Sequence, residues 1–316
     1  MENNEMCQDK SLVFVTAGSN YLDIDAYACM VAMAELMRSR GENAVAYSGA
    51  ICNYSVCKSL IYEGQILREL LPDFKAEAAS YIIVDVSDPG FLSNSVPLNQ
   101  VIAVYDHHVG FEEYWTSRIG RGTHIEFIGA AATLIYREWK NAGLLDKMAR
   151  STVLLLIAAI LDNTLNLTSS NTTLEDVEAF KALCQKENIG EEWCVAYFSE
   201  VQANVEADLE NALRNDMKRI GENFILPANM MQLCVWDAGE MLKRLPDIRR
   251  WFYDMPDGWM LNLIDIKHRC SYFVCDDTVC QKKLEKLFCV SFEMGVAKSP
   301  HPYLRKQILK NVLNSK

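Results

Sequence analysis

Asp106-His107-His108 closes an apolar run in a chain with only five histidines among 316 residues. Two imidazoles behind a carboxylate have no packing reason to be adjacent, whereas together they can bind a metal or move a proton. Four more carboxylates stand in or just beyond apolar runs: Asp23 and Asp25 (YLDID), Asp85 (IIVDVSDP) and Asp162 (LLLIAAILDNT). Asp23, Asp25, Asp85, His107 and Asp162 make a hard-leaning donor set, suited to Mn²⁺ or Mg²⁺ and poorly suited to metals that prefer thiolates. Two such ions roughly 3.5–4 Å apart, with one carboxylate bridging, would clamp a hydroxide for in-line attack on phosphorus. The chemistry this set suits is hydrolysis of a phosphoester or phosphoanhydride.

To converge, these residues need a scaffold that brings distant segments to one edge. Residues 11–17 (SLVFVTA) read as a buried strand closed by Gly18, and residues 25–40 as a helix ending at Gly41. Residues 44–47 read as a strand, 56–71 as a helix, 81–86 as a strand and 101–105 as another. This β-α alternation predicts an α/β class with a parallel sheet. Ligands of such sheets bind outside the carboxyl ends of the strands, where Asp23, Asp25, Asp85 and the Asp106–His108 triplet fall. Helices follow at 128–140 and 151–162, then at 175–186, 191–201 and 206–219. Beyond Gly221 the pattern turns to strands at 231–236 and 259–266 and helices at 239–250 and 279–288. The length predicts two domains: residues 1–195 carrying the metal-binding set, and residues 205–316 forming a smaller α/β domain.

Composition narrows the partners. A net charge of −11 argues against a basic face for a nucleic-acid polymer, while leaving a short anion accessible to a site whose bound cations invert its charge. The apolar run 153–161 is nine residues, about half of the roughly 20 that span a bilayer, so no membrane segment is expected. The polar N-terminus lacks the pattern of a secretory signal, which predicts a cytoplasmic protein. Eleven cysteines, an odd number, read as reduced thiols; Cys270, Cys275, Cys280 and Cys289 lack the C-x-x-C spacing of a structural zinc site. His124, in THIEFIGAAAT, precedes a helix start that could neighbour a phosphate. His268 and His301 belong to no pattern.

The order DxD, VDVSDP, DHH and LLLIAAILDNT resembles the four motifs of the DHH phosphoesterase superfamily. The spacing, 62 residues from Asp23 to Asp85, 22 to His107 and 55 to Asp162, is similar to that of manganese-dependent family II inorganic pyrophosphatases and their exopolyphosphatase and prune-like relatives. Asn215-Asp216-Met217-Lys218 resembles the pyrophosphatase segment with a substrate-binding lysine. Leu304-Arg305-Lys306-Gln307 resembles the SRKKQ motif of the pyrophosphatase-type DHH-associated domain.

The resemblance implies that Asp23 and Asp85 hold one ion and that Asp25, Asp85, His107 and Asp162 hold the other, with Mn²⁺ or Mg²⁺ expected and Co²⁺ an alternative. It places His108, Asp85 and Asp106 in the catalytic group, with His108 bonding the electrophilic phosphate. It assigns Lys218, Arg305 and Lys306 to the remaining phosphate oxygens and implies closure of the two domains around a small anionic substrate; His124 is a further substrate-binding candidate by its place before the helix start. The expected substrate is pyrophosphate or short polyphosphate. The alternatives are a small nucleotide, or a regulatory homologue with weakened catalysis. A homodimer is compatible with this reading.

One departure stands out. The pyrophosphatases begin GHxxPDxD, whereas this chain reads Gly18-Ser19-Asn20-Tyr21-Leu22-Asp23-Ile24-Asp25. Ser19 occupies the histidine position and Leu22 the proline. A serine hydroxyl binds a metal more weakly than imidazole does, which shifts the expected preference of the first site towards Mg²⁺.

Overall fold

A computed structural model describes residues 11–18, 21–69, 79–92, 96–221 and 225–314. The chain divides into two compact units: Met1–Leu167 with Asn171–Gly190, and Thr168–Ser170 with Glu191–Lys316. Among the described residues no helix is long and apolar enough to cross a membrane.

The first unit contains strands β1 (Val13–Thr16), β2 (Tyr21–Leu22), β3 (Ala44–Ala46), β4 (Ile51–Cys52), β5 (Ser80–Val84), β6 (Val101–Asp106) and β7 (Thr123–Ile125). Its helices are α1 (Ile24–Ser39), α2 (Glu112–Ile119), α3 (Ala131–Asn141), α4 (Arg150–Asn163) and α5 (Leu174–Glu187). Five strands form one parallel sheet in the order β3-β1-β5-β6-β7, while β2 and β4 pair separately. Counting only the five sheet strands, the order is 2-1-3-4-5, so the direction of winding reverses between β1 and β5. That reversal opens a crevice at the carboxyl ends of the two strands.

β1, buried throughout, and β5, buried from Tyr81 to Val84, lie inside the sheet, where both faces need cover. Helix α1 is capped by Asp23, whose carboxylate accepts from the Ala26 amide, and is buried without a break from Ile24 to Ala34. This all-round burial follows from its packing against α3, α4 and the sheet. The apolar run of α4 is buried at Val153 and again from Leu155 to Leu161. Trp139 of α3 donates its indole N–H to the Ala32 carbonyl of α1 at 3.0 Å, fixing the two helices together.

The 56–71 helix expectation is not met. Residues 56–69 hold one 3-10 turn at Lys58–Leu60, a turn through Gly64 at φ 80° and a bridge from Leu67 to Tyr47; residues 70 and 71 lie outside the described residues. Gln65 accounts for part of this, because its side-chain oxygen accepts from both the Tyr62 amide and the Tyr27 hydroxyl. Strand β7 and helix α2 were not anticipated either. Both are short, and α2 buries a single residue, Trp115, so it carries little periodic signal.

The second unit holds α6 (Glu191–Ala207), α7 (Leu209–Asp216), β8 (Lys218–Arg219), β9 (Asn229–Val235), α8 (Gly239–Lys243), α9 (Leu245–Trp251), β10 (Trp259–Asp265), β11 (Cys270–Val274), α10 (Thr278–Phe288), β12 (Val296–Ser299) and α11 (Arg305–Leu313). Its mixed sheet runs β12-β11-β10-β9-β8, with only β9 and β10 parallel. The expected 239–250 helix is two helices. Pro246, which cannot donate a backbone hydrogen bond, sits in the first turn of α9 and forces the break. The 206–219 segment likewise ends at Asp216 and passes into β8. The ten described cysteines are thiols outside any disulfide; Cys270, Cys275 and Cys280 are buried, whereas Cys289, which ends α10 at φ 51°, is exposed.

Two polar clamps set the geometry. In the first unit, fully buried Asp176 accepts from the Gly129 amide (2.9 Å), the Thr133 hydroxyl (2.6 Å) and the Thr173 amide (2.7 Å), joining the start of α5 to the turn that enters α3. In the second, Arg305 grips Asp216 through both carboxylate oxygens at 2.7 Å and donates to the Asp216 and Met230 carbonyls at 2.8 Å. Gln232 continues this clamp by accepting from the Arg305 amide and from Asn262.

Asp176→Ala is expected to destabilise the protein by about 3 kcal/mol, since it strands several buried donors that each cost about 1–3 kcal/mol unpaired. Gly129→Ala should be comparably damaging, because its Cβ would lie 2.5 Å from the Asp176 carboxylate and 2.7 Å from Thr164. Arg305→Ala should lose about 2–4 kcal/mol, slightly less than a fully buried pair, because the Asp216 side chain is 32% exposed. Urea unfolding midpoints of the three variants against wild type measure these losses.

Candidate metal centre

At the end of β5, Asp85 takes a left-handed conformation (φ 57°) while its amide still donates to the Tyr105 carbonyl at 2.8 Å. Aspartate is among the few side chains that tolerate this backbone. The turn brings Asp85 into a shared electrostatic environment with Asp23 and Asp25, which follow β1, and with Asp106, which ends β6. Burial pushes the Asp85 carboxyl well above the usual range; the charges of Asp25, Asp23 and Asp106, and a hydrogen bond with Asp23, push it further. None of these influences comes from a lysine or arginine.

Asp25 is fully buried, and its carboxyl is pushed up to about 7, first by burial and then by Asp23. Partial compensation comes from the start of α3, where the Ala131 and Ala132 amides donate to its two oxygens at 2.8 Å, and from the Cys29 thiol at 3.3 Å. A buried carboxylate at a helix N-terminus is favoured by the unpaired amides and the helix dipole. Asp25 thus caps α3 while adding negative charge to the cluster.

His107 donates from Nδ1 to the Ile128 carbonyl at 3.2 Å, because a carbonyl can only accept. In the neutral ring this leaves the Nε2 lone pair, 3.5 Å from Oδ1 of Asp85. That oxygen is buried and has no hydrogen-bond partner. Two electron-pair donors facing one another in a buried space call for a proton or a metal cation between them. Ile128 adjoins Gly129, so the Asp176 clamp also fixes the carbonyl that orients His107.

His108 turns the other way. Its backbone amide and Nδ1 both bond Oδ1 of Asp106, at 3.0 and 2.9 Å, and its side chain is 60% exposed while that of Asp106 is fully buried. Burial alone would raise the Asp106 carboxyl, but its hydrogen bonds and charge attraction with His108 hold it below the usual range. Ser87 donates to the His108 carbonyl, and Trp115 donates to the Ser87 carbonyl at 2.6 Å, tying the loops after β5 and β6 together.

Among the described residues, the ligand atoms of Asp85, His107 and His108 lie within 4.8 Å of one another. Asp23 and Asp25 join this centre through charge and hydrogen bonding rather than through that close set. Asp162 ends α4, half-buried, outside the close set; the chain leaves it through three consecutive left-handed residues, Leu165, Asn166 and Leu167. Ser19 lies outside the described residues. Leu22 is fully buried.

The expected phosphate-binding residues separate into two kinds. Lys218 on β8 and Lys306 in the first turn of α11 are exposed. Arg305 is not available in the same way: four of its five N–H donors are committed to Asp216 and Met230, because a largely buried carboxylate needs a counter-ion. His124 stacks on Tyr105 at 4.3 Å, nearly parallel, as the cross-strand neighbour that β6–β7 register dictates. Stacking occupies one ring face and places His124 within the sheet, not at a helix N-terminus.

Sequence inspection missed the positioning roles of Asp176 and Ser87. Thr173-x-x-Asp176 is a capping-box pattern and marks the start of α5, but the 47-residue reach of Asp176 to Gly129 has no local signature.

No protein-family model matches the chain, and no curated protein matches it in sequence. In fold it is similar to a Methanococcus jannaschii protein assigned to the family II inorganic pyrophosphatases, with a TM-score of 0.66 and 19% identity over 96% of this chain and 99% of that one. It is also similar to an exopolyphosphatase-related protein from Bacteroides fragilis, with a TM-score of 0.51 and 13% identity over 97% and 92% of the two chains. The two-unit α/β fold of this chain is therefore the fold of these pyrophosphatase- and exopolyphosphatase-type proteins.

Proposed function

We propose that the chain is a metal-dependent phosphohydrolase that cleaves phosphoanhydride bonds, with pyrophosphate or short polyphosphate as the reference substrates. The observation that carries this reading is the gathering of buried acidic groups at Asp25 and Asp85, facing Nε2 of His107, with no lysine or arginine among the main influences on their carboxyls in the described residues. Its position at the carboxyl ends of β1, β5 and β6, beside the reversal of winding, is where ligands of such sheets bind.

We assign Asp23, Asp25, Asp85 and His107 to holding divalent cations, with Asp162 as a further ligand. Carboxylates and one neutral imidazole fit Mn²⁺ or Mg²⁺, and Co²⁺ as a substitute. When bound, the cations supply positive charge that polarises a phosphoryl group and acidifies water.

The side chains supply the rest. Asp106 fixes the His108 ring by accepting from Nδ1, so that Nε2 points free of Asp106 and, in the imidazolium form, is the atom that donates to a phosphoryl oxygen. In the second unit we assign the exposed Lys218 and Lys306 to phosphate oxygens, and give Arg305 the positioning role of anchoring the first turn of α11 beside Asp216. Small anions fit this pattern, and thiols outside any disulfide fit a cytoplasmic setting.

Calorimetric titration is expected to show Mn²⁺ and Mg²⁺ binding to the wild type and a loss of at least about tenfold in Asp85→Asn, the scale of effect expected when a metal site is perturbed. Equal binding by the two proteins would remove the metal centre from the explanation. Phosphate release from pyrophosphate and tripolyphosphate with Mg²⁺, Mn²⁺ or Co²⁺ should fall by about 10²–10⁴-fold in His108→Ala while metal affinity is retained. The reading is rejected if neither compound is hydrolysed and wild type equals Asp85→Ala.

A further inference from the structure

The short ladder of β2 and β4 stands immediately before the metal centre. Tyr21 and Ile51 are partners across its parallel register, so their side chains project to the same face, and they are 46% and 70% exposed. Their neighbour Leu22 is turned inward and fully buried. Side chains alternate along an extended segment, so Tyr21 and Asp23, two positions apart with Asp23 also extended, leave the chain on the same side. An exposed aromatic ring and an aliphatic side chain therefore sit about 6.6 Å of backbone, two strand residues, from a carboxylate of the centre.

This platform is held firmly. Arg68 donates to the Ala50 carbonyl at 2.6 Å, to the Ser48 carbonyl at 3.3 Å and to the Cys52 sulfur at 3.2 Å, bracing β4 and the chain that leads into it. The Asn53 amide donates to the Leu22 carbonyl at 2.8 Å, and the Ile24 amide donates to the Ser55 hydroxyl at 2.9 Å. The ladder and the start of α1 are thus strapped together, and the apolar pair keeps a fixed relation to Asp23.

We propose that Tyr21 and Ile51 form a stacking platform for the base of a nucleoside polyphosphate whose phosphates occupy the metal centre. This inference rests on the metal-centre reading above and names a substrate class for it. The exposed pair is two side chains, far fewer than the roughly 20–30 residues a side of a standard protein interface. Every base offers a π-face, so the platform accepts nucleosides without strong preference among bases. One ribose separates base from phosphate, which suits the short separation between Tyr21 and Asp23.

The test is calorimetric binding, in Mg²⁺, of adenosine 5′-(β,γ-methylene)triphosphate and of methylenediphosphonate to wild type, Tyr21→Ala, Tyr21→Phe and Ile51→Ser. The nucleoside analogue should bind wild type more tightly than methylenediphosphonate. Tyr21→Ala should weaken the nucleoside analogue by about 5- to 150-fold, the range set by loss of one base–aromatic stack, and leave methylenediphosphonate unchanged. Tyr21→Phe should retain the affinity, and Ile51→Ser should lose a smaller part of it. Equal affinities in wild type, equal weakening of both compounds by Tyr21→Ala, or no binding of either compound overturns the platform. A dimer that Tyr21→Ala or Ile51→Ser converts to monomer on gel filtration, with nucleoside affinity untouched, reassigns the patch to a subunit contact and overturns it too. Mn²⁺ titration of the same samples reports separately on the metal centre, so failure of one reading is distinguishable from failure of the other.

Discussion

Uncompensated negative charge is the constraint on which the first unit depends. Asp25 and Asp85 are taken out of water within reach of Asp23 and Asp106, and among the described residues the main influences on their carboxyls are burial and other acidic groups, not a lysine or arginine. Charges buried in this way must be protonated or matched by a cation. The fold contributes what compensation it can through the α3 amides, the Cys29 thiol and the His108 ring, but these reach Asp25 and Asp106 and leave Oδ1 of Asp85 without a partner. Folding and cation binding are in this sense two parts of one electrostatic problem.

The surrounding architecture makes that arrangement repeatable. A parallel sheet delivers several chain segments to one edge at a strand spacing of about 4.8 Å, so residues far apart in sequence meet after β1, β5 and β6. Polar ties then remove the remaining freedom: Asp176 holds the turn before α3, the Ile128 carbonyl holds His107, and Ser87 and Trp115 hold the loop that carries His108. The second unit repeats the principle with a different device, one arginine spread over a carboxylate and two carbonyls.

What could be read from the sequence follows from the range of each interaction. The strands β1, β5 and β6 and the helices α1, α3 and α4 declare themselves by apolar composition, and the carboxylates at strand ends follow from that. Segment 56–69 misled because its apolar residues Ile61 and Tyr62 are exposed and do not mark a helix face. Arg305 and His124 have side-chain types suited to phosphate, but their partners, Asp216 and Tyr105, are 89 and 19 residues away. The same distance hid Asp176. Tyr21 was visible as a letter, yet its exposure depends on pairing with Ile51, 30 residues on.

The left-handed backbone at Asp85 narrows the chemistry the position can accept. Negative charge is needed there for a cation, and a short, locally polar side chain is needed for φ 57°. Glutamate keeps the charge but is a poorer fit to that backbone, whereas asparagine and glycine suit the backbone and lack the charge. Position 85 is thus filtered twice by independent physics, and aspartate is the common amino acid that passes both filters.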